Sequence, residues 1–203
     1  MVRKPKCLLK RKNKIQKNKS ETSNNGAQQN KQENKPNQGA VPPKKDMPYP
    51  YKQTLALGDS IMIDIEPYLK ETVPNVTIDG KIGRQLSDAI GIAPSYKQYN
   101  TSDSAVIIEL GTNGPFTEKQ LNRLLDQFDE AHIYFVNSRV PRGWEQEVNA
   151  AISSAAENYP NLTVIDWYSL AKVNSSYFEP DGVHLKKEGA KAYVNLLMQA
   201  IKK

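Results

Sequence analysis

The chain has 203 residues, a formal charge of +6 and one cysteine. A single cysteine excludes an intrachain disulfide and a multi-cysteine metal site, and no stretch approaches the roughly 18 apolar residues of a transmembrane helix. The charge is unevenly divided: thirteen basic and three acidic side chains precede Tyr51, and fifteen basic and nineteen acidic follow, so the basic character belongs to the first 50 residues.

Residues 1–50 read as a tail. Lys4 to Lys19 is densely basic, and Ser20 to Lys45 is built of Asn, Gln, Lys and Ser with almost nothing to bury, a composition that cannot offset chain entropy and predicts disorder. Its charge suits contact with an anionic membrane or anionic wall polymers, and a plain solubilising linker fits equally. Nucleic acid is not expected, because the rest of the chain is acidic and carries no recognition motif. Cys7 is preceded by a short basic segment rather than the apolar run of a lipoprotein signal, so an inert thiol is favoured over a lipid anchor. No secretory signal is visible either.

Residues 51–203 read as one globular domain. Short apolar runs at Thr54 to Leu57, Val76 to Ile78, Ala105 to Leu110, Ile133 to Val136 and Leu162 to Ile165 read as five buried strands. Helix-period segments lie between them. Pro67 fits the first turn of a helix that follows Ser60. Thr117 and Gln120 have the spacing of a capping box, ahead of an apolar face formed by Leu121, Leu124, Leu125 and Phe128. Val148, Ala151, Ile152 and Ala155 mark the next helix, and Tyr193, Leu196, Leu197, Ala200 and Ile201 mark the last. No internal repeat is present. Strand and helix in alternation predict a three-layer α/β/α sandwich around a five-stranded parallel sheet, with ligands bound beyond the carboxyl ends of the strands.

The polar motifs fall at those ends. Gly58-Asp59-Ser60 closes the first strand and opens a helix, which puts a hydroxyl at the crevice and its own N–H toward an oxyanion. Asp181-Gly-Val-His184 precedes the last helix, with the spacing that lets a carboxylate orient an imidazole. His132, the only other histidine, opens a strand and reads as structural, which leaves His184 as the base. Asn113, in Gly111-Thr-Asn-Gly, can direct its amide at a developing oxyanion. A glycine after the second strand, Gly80 or Gly83, is expected to add a backbone N–H, with Gly83 favoured. Two histidines, one of them committed, and one cysteine give no ligand cluster, so no metal or other cofactor is expected.

In that order and in those positions the four motifs resemble the blocks of the SGNH (GDSL-type) hydrolase superfamily. Asp79-Gly-Lys-Ile-Gly-Arg-Gln85, Gly111 to Gly114, Val140-Pro-Arg-Gly-Trp144 through Asn149, and Asp181 to Leu185 are most similar to the extracytoplasmic C-terminal domain of Gram-positive peptidoglycan O-acetyltransferases. The likeness covers about Thr54 to Lys203. General SGNH esterases usually carry Asp after the third-block Asn. Here it is Gly114, as in the acetyltransferase group.

The resemblance implies a flavodoxin-like SGNH fold, a Ser60–His184–Asp181 triad, an acetyl-serine intermediate and an oxyanion hole of Ser60, Gly83 and Asn113. It further implies a peptidoglycan acceptor, the C6 hydroxyl of muramic acid, at the extracytoplasmic face of the envelope. Those acetyltransferases carry a multi-pass membrane domain that this chain lacks. The acetyl donor is therefore expected from a membrane acyltransferase domain or protein outside it, and the chain reads as a fragment, a stand-alone homologue or the product of a split gene. Arg84, Arg142 and Trp144 are candidate substrate contacts. Arg84 alternatively positions its loop, and Trp144 alternatively packs the next helix start. Two other readings stay open: a carbohydrate or small-ester deacetylase on the same fold, and a non-catalytic envelope-binding module.

Overall fold

The computed structural model describes residues 48–202. The expected basic tail and Cys7 lie outside the described residues, except for Pro48 to Pro50 at the tail's end.

Five strands alternate with helices: β1 (Gln53–Gly58), α1 (Ser60–Thr72), β2 (Val76–Gly80), α2 (Leu86–Ile92), β3 (Ser104–Glu109), α3 (Glu118–Leu125), β4 (His132–Val136), α4 (Glu145–Asn158), β5 (Leu162–Ile165), α5 (Trp167–Ala171) and α6 (Lys187–Ile201). The strands form one parallel sheet in the order β2-β1-β3-β4-β5. Their two-residue alternation divides the core between its faces. Leu55, Leu57, Val106, Ile108, Ile133 and Phe135 pack with α2, α3 and α4. Ala56, Ala105, Ile107, Tyr134 and Val136 pack with α1, α5 and α6. The result is the three-layer α/β/α sandwich that the alternating runs predict.

Only the three central strands are buried throughout, or nearly so. β2 and β5 were expected to be buried as well, but both are partly exposed. Each is an edge strand with a neighbour on one side only, so the helix layers cover it incompletely. The chain leaves β1 toward β2 on one side and returns as β3 on the other. The sheet therefore changes direction between β1 and β3, and a crevice opens at their carboxyl ends.

The helices carry further differences. Pro67 stands inside α1, not in its first turn. Its missing N–H leaves the Ile63 carbonyl without the usual partner, a loss that water can make good because Ile63 and Pro67 are both exposed. Thr117 caps α3 through the reciprocal bonds with Gln120 that their spacing predicts. That helix ends at Leu125, and Phe128 is buried from the 3₁₀ turn Asp126–Phe128 instead. In α6 the buried stripe is Ala190, Tyr193, Val194, Leu197, Met198 and Ile201, so Leu196 and Ala200 sit at its margin. The short helices α2 and α5 have too few apolar residues for their period to stand out in the sequence.

Candidate active site

The β1–α1 junction turns sharply because Gly58 has no side chain. A Cβ there would meet the Met62 Cβ at 2.6 Å and the Glu109 carbonyl and Oε2 oxygens at 2.9 Å. Asp59, fully buried, then caps α1: its Oδ1 accepts the Ile61 N–H at 2.9 Å. Satisfying that orphan donor starts the helix at Ser60.

Ser60 and His184, 124 residues apart, meet at this point. The Ser60 Oγ lies 3.1 Å from His184 Nε2, and His184 Nδ1 lies 2.7 Å from Asp181 Oδ2. Asp181 Oδ1 also accepts the N–H groups of Val183 at 2.8 Å and His184 at 3.0 Å. Gly182 supplies the left-handed residue of this tight turn, at φ +71°. The loop is tied down at its ends by the Phe178–Leu185 bridge and by the Glu179 N–H bonded to the His184 carbonyl.

The hydrogen bond from His184, helped by the Val183 N–H, lowers the Asp181 carboxyl to about 2. Its partner moves the other way. The bond to Asp181 raises His184 above the ordinary imidazole value, against a smaller opposing effect of partial burial, and the charges of Asp181, Asp64 and Asp59 add to the rise. An ionised carboxylate, an imidazole held by it and a hydroxyl in line form a relay able to deprotonate the hydroxyl as it attacks a carbonyl.

The other candidates divide. Asn113 follows β3 beside Ser60's junction, but its Nδ2 bonds Asp59 Oδ2 at 2.9 Å and Thr112 Oγ1 at 3.1 Å. The amide belongs to a network centred on Asp59, where a free donor aimed across the crevice was expected, because the buried carboxylate is the strongest acceptor within reach. The Thr112 hydroxyl donates to the same carboxylate oxygen. Gly83 lies in the turn after β2 at φ +72° with open space where a Cβ would be, so conformation rather than crowding favours glycine there. Gly80 is different: it pairs with Gly58 and lets α1 approach, since a Cβ would come within 2.9 Å of Ile63.

Arg84 is corrected. It is buried, and its guanidinium binds Asp79 Oδ1 at 2.7 Å and the carbonyls of Asp79 at 2.5 Å and Gly58 at 3.0 Å. With its donors turned inward, it braces the loop and has no free face for a ligand. Trp144 is half buried ahead of α4 and donates from Nε1 to the Gly111 carbonyl at 3.1 Å, so it ties the β4–α4 loop to the loop that carries Asn113. Arg142 is exposed on the β4–α4 loop, beside Pro141, which lies 3.3 Å from where a Gly182 Cβ would stand. His132 opens β4 at the amino end of the sheet, stacked on Tyr134 and 2.9 Å from the Thr163 hydroxyl.

Three carboxylates and a hydroxyl that sequence reasoning left out complete the site: Asp59, Asp64, Glu109 and Thr112. Glu109 is buried under the junction and accepts the Asp59 N–H at 3.1 Å. Burial and the adjacent Asp59 carboxylate push it well above the carboxylate range. Its signal in the sequence is a lone charge closing an apolar strand. Asp64 is one helical turn beyond Ser60, a spacing that puts both on one face of α1. Among the described residues, no group of three or more His, Cys, Asp or Glu side chains is placed to hold a metal ion.

No family model matches the chain. It is 64% identical over 151 residues to the peptidoglycan O-acetyltransferase OatA of Listeria monocytogenes, a match that covers 74% of this chain and 24% of that protein. The chain thus spans about a quarter of the length of the curated relatives it matches. Among solved structures, the C-terminal catalytic domain of Streptococcus pneumoniae peptidoglycan O-acetyltransferase A superposes with a TM-score of 0.64 at 22% identity, covering 75% of this chain and 93% of that one. The psychrotrophic esterase EstA from Pseudoalteromonas superposes at 0.58 and 17% identity, covering 74% and 96%. The structural likenesses concern the fold, the α/β/α sandwich around a five-stranded parallel sheet that was read from the sequence. The sequence likeness bears out the resemblance to peptidoglycan O-acetyltransferases.

Proposed function

We propose, taking that homology as the premise, that this domain is an O-acetyltransferase that acetylates the C6 hydroxyl of muramic acid in peptidoglycan. The single observation that carries the chemistry is the continuous hydrogen-bonded series Asp181–His184–Ser60, with links of 2.7 and 3.1 Å.

In the first half-reaction the Ser60 Oγ attacks the acetyl carbonyl carbon while His184 Nε2 takes its proton. Asp181 keeps the other imidazole proton on Nδ1 and balances the imidazolium charge. The tetrahedral oxyanion is held by the N–H groups of Ser60 and Gly83 and by the Asn113 amide, once that amide shares its bond with Asp59. Loss of one such donor typically costs about 10²–10³ in turnover. Collapse breaks the bond to the donor's leaving group, which takes the proton from His184, and leaves acetyl-Ser60. In the second half-reaction His184 removes the proton of the sugar hydroxyl as its oxygen attacks the acetyl carbon; collapse breaks the bond from the acetyl carbon to the Ser60 Oγ, which takes the proton back from His184, and the ester passes to the glycan. The donor is supplied by a membrane acyltransferase domain or protein outside this chain, and the domain works at the extracytoplasmic face of the envelope. Arg142 and the rim near Pro141 and Gly182 are the candidate surface for the acceptor.

A second reading, hydrolysis, is favoured by one feature. The side chains of His184 and Asp181 are 44% and 46% exposed, so water reaches the atom that would activate the acceptor. Incubating the purified protein with an activated acetyl ester and either chitooligosaccharide or muropeptide acceptors separates the two. Acetylated glycan in the mass spectrum supports transfer, and free acetate alone supports esterase action. Neither product, with no acetyl-Ser60 trapped, rejects both and leaves a binding module.

A further inference from the structure

The base loop is held to the nucleophile's helix by a group that the triad does not include. Asp64 stands on α1, four residues after Ser60, half buried, and its Oδ2 accepts the backbone N–H of Leu185 at 2.8 Å. Leu185 directly follows His184 and is itself buried with α1's Ile61 and Ile65. One carboxylate therefore links the helix that begins at Ser60 to the residue next to the imidazole that faces it. The junction between loop and helix is closed at two points, Leu185 to Asp64 and His184 to Ser60.

We propose that Asp64 is a positioning residue for the acyl-transfer reaction: it clamps the His184 loop over Ser60 through Leu185 and lends its negative charge to the imidazolium that forms during the reaction. The proposal rests on the functional reading above for its kinetic consequence, but not for its electrostatic one.

Two physical effects support it. A backbone N–H at a loop end with limited solvent access needs an acceptor, and an ionised acceptor makes a stronger bond than a neutral one. Without it the loop loses a fixed point beside its catalytic group, where a displacement of about 1 Å can cost about 10²-fold in rate. The negative groups facing His184 come from three elements: Asp181 from its own loop, Asp64 from α1 and Asp59 from the β1–α1 junction, and all three favour the protonated ring. Asp64 in turn is raised chiefly by its partial burial, and the Leu185 N–H and His184 oppose that rise. Asp181 orients the ring from Nδ1, whereas Asp64 fixes the backbone from which the ring projects.

Asp64→Asn and Asp64→Ala separate clamp from charge, since Asn keeps an acceptor oxygen for Leu185 and Ala keeps none. The protein has two histidines, so the His184 ring is identified by NMR as the signal missing from His184→Gln. In both Asp64 variants its titration is expected to move to lower pH. With an activated acetyl ester, kcat is expected to fall about tenfold or more in Asp64→Ala and less in Asp64→Asn, with KM within about twofold. An unmoved His184 titration in both variants overturns the electrostatic half, and a wild-type kcat in Asp64→Ala overturns the clamp. If Asp64→Ala does not fold, the titration of Asp64→Asn decides the electrostatic half, and the kcat of Asp64→Leu, which keeps the side chain's bulk but offers Leu185 no acceptor, decides the clamp. A wild-type protein that turns over no ester rejects the functional reading, while the titration still tests Asp64.

Discussion

Ser60 is a buried residue in a packed elbow, whereas Asp181 and His184 stand on a loop with nearly half of each side chain open to solvent. The elbow is held by sterics and desolvated carboxylates: a glycine that admits no Cβ, an aspartate that caps the helix, and a glutamate beneath it. The loop of Asp181 and His184 is buried only at its ends, through Phe178 and Leu185, and between them hydrogen bonds hold it, from Asp181 to its own turn, from Glu179 to the His184 carbonyl and from Leu185 to Asp64. The place of Ser60 thus depends on close packing and on buried carboxyl groups, which salt hardly reaches. The place of His184 depends more on exposed charge, which salt and pH both change.

Breaking the chemistry without touching this contrast gives the largest effect. Ser60→Ala is expected to lower kcat toward an activated acetyl ester by about four orders of magnitude or more, with the urea midpoint nearly unchanged. Residual activity near wild type in a steady-state assay rejects Ser60 as nucleophile.

Next comes the packing of the elbow. Gly58→Ala forces a methyl group to 2.6 Å from Met62 Cβ and 2.9 Å from the Glu109 carbonyl. A stability loss of about 1–3 kcal/mol is expected in urea unfolding, along with loss of activity as α1 shifts. An unchanged midpoint means that the junction is softer than its contacts suggest.

The base loop responds to pH instead. Because His184 is raised above its ordinary value of 6.5 and acts as a base only when neutral, the acidic limb of kcat/KM is expected above pH 6.5. Asp181, lowered to about 2, stays ionised across that range and adds no second limb near neutrality. The stability linkage follows the same signs. The His184 contribution is complete below the unfolded imidazole value and is lost as pH rises through the folded one. The Asp181 contribution is present above the ordinary carboxylate value and is lost as pH falls toward about 2. An acidic limb below pH 6.5 contradicts the bond to Asp181 as the dominant influence.

The smallest effect sharpens the comparison most. Burial pushes Glu109 up, so folding favours its protonated form, and the wild type loses stability as pH rises from the ordinary carboxylate range toward the folded value. Glu109→Gln mimics the neutral acid and removes that loss. The variant is expected to gain on the wild type as pH rises, read as the difference between their urea midpoints. A constant difference across pH means that Glu109 does not titrate under the elbow.

The sheet was legible because burial leaves a direct trace in residue type. Ala105 to Leu110 reads as a buried strand, and Gly58-Asp59-Ser60, Asn113 and Asp181-Gly-Val-His184 fall at strand and helix ends that punctuation reveals. The margins were less legible. β2 and β5 carry the residues of buried strands, and only the strand order makes them edges. Pro67 has the same identity in a first turn as in a helix interior, and what permits it inside is the solvent beside Ile63. Arg84 has the same identity as a ligand-binding cation and as a loop brace, and only the contacts of its guanidinium with Asp79 and the Gly58 carbonyl separate the two.

The sequence by itself determined the layers, the order of the motifs and the identity of a serine, a histidine and an aspartate able to act together. These follow from local rules: the two- and 3.6-residue periods, the punctuation at element ends and the chemistry of each side chain. Only the tertiary structure decided that the Asn113 amide bonds Asp59, that Glu109 accepts the Asp59 N–H and that Asp64 accepts the Leu185 N–H beside His184. Those pairs are separated by 54, 50 and 121 positions, and neither period nor spacing carries information over such distances. Contact between them is set by how the strands order themselves in the sheet.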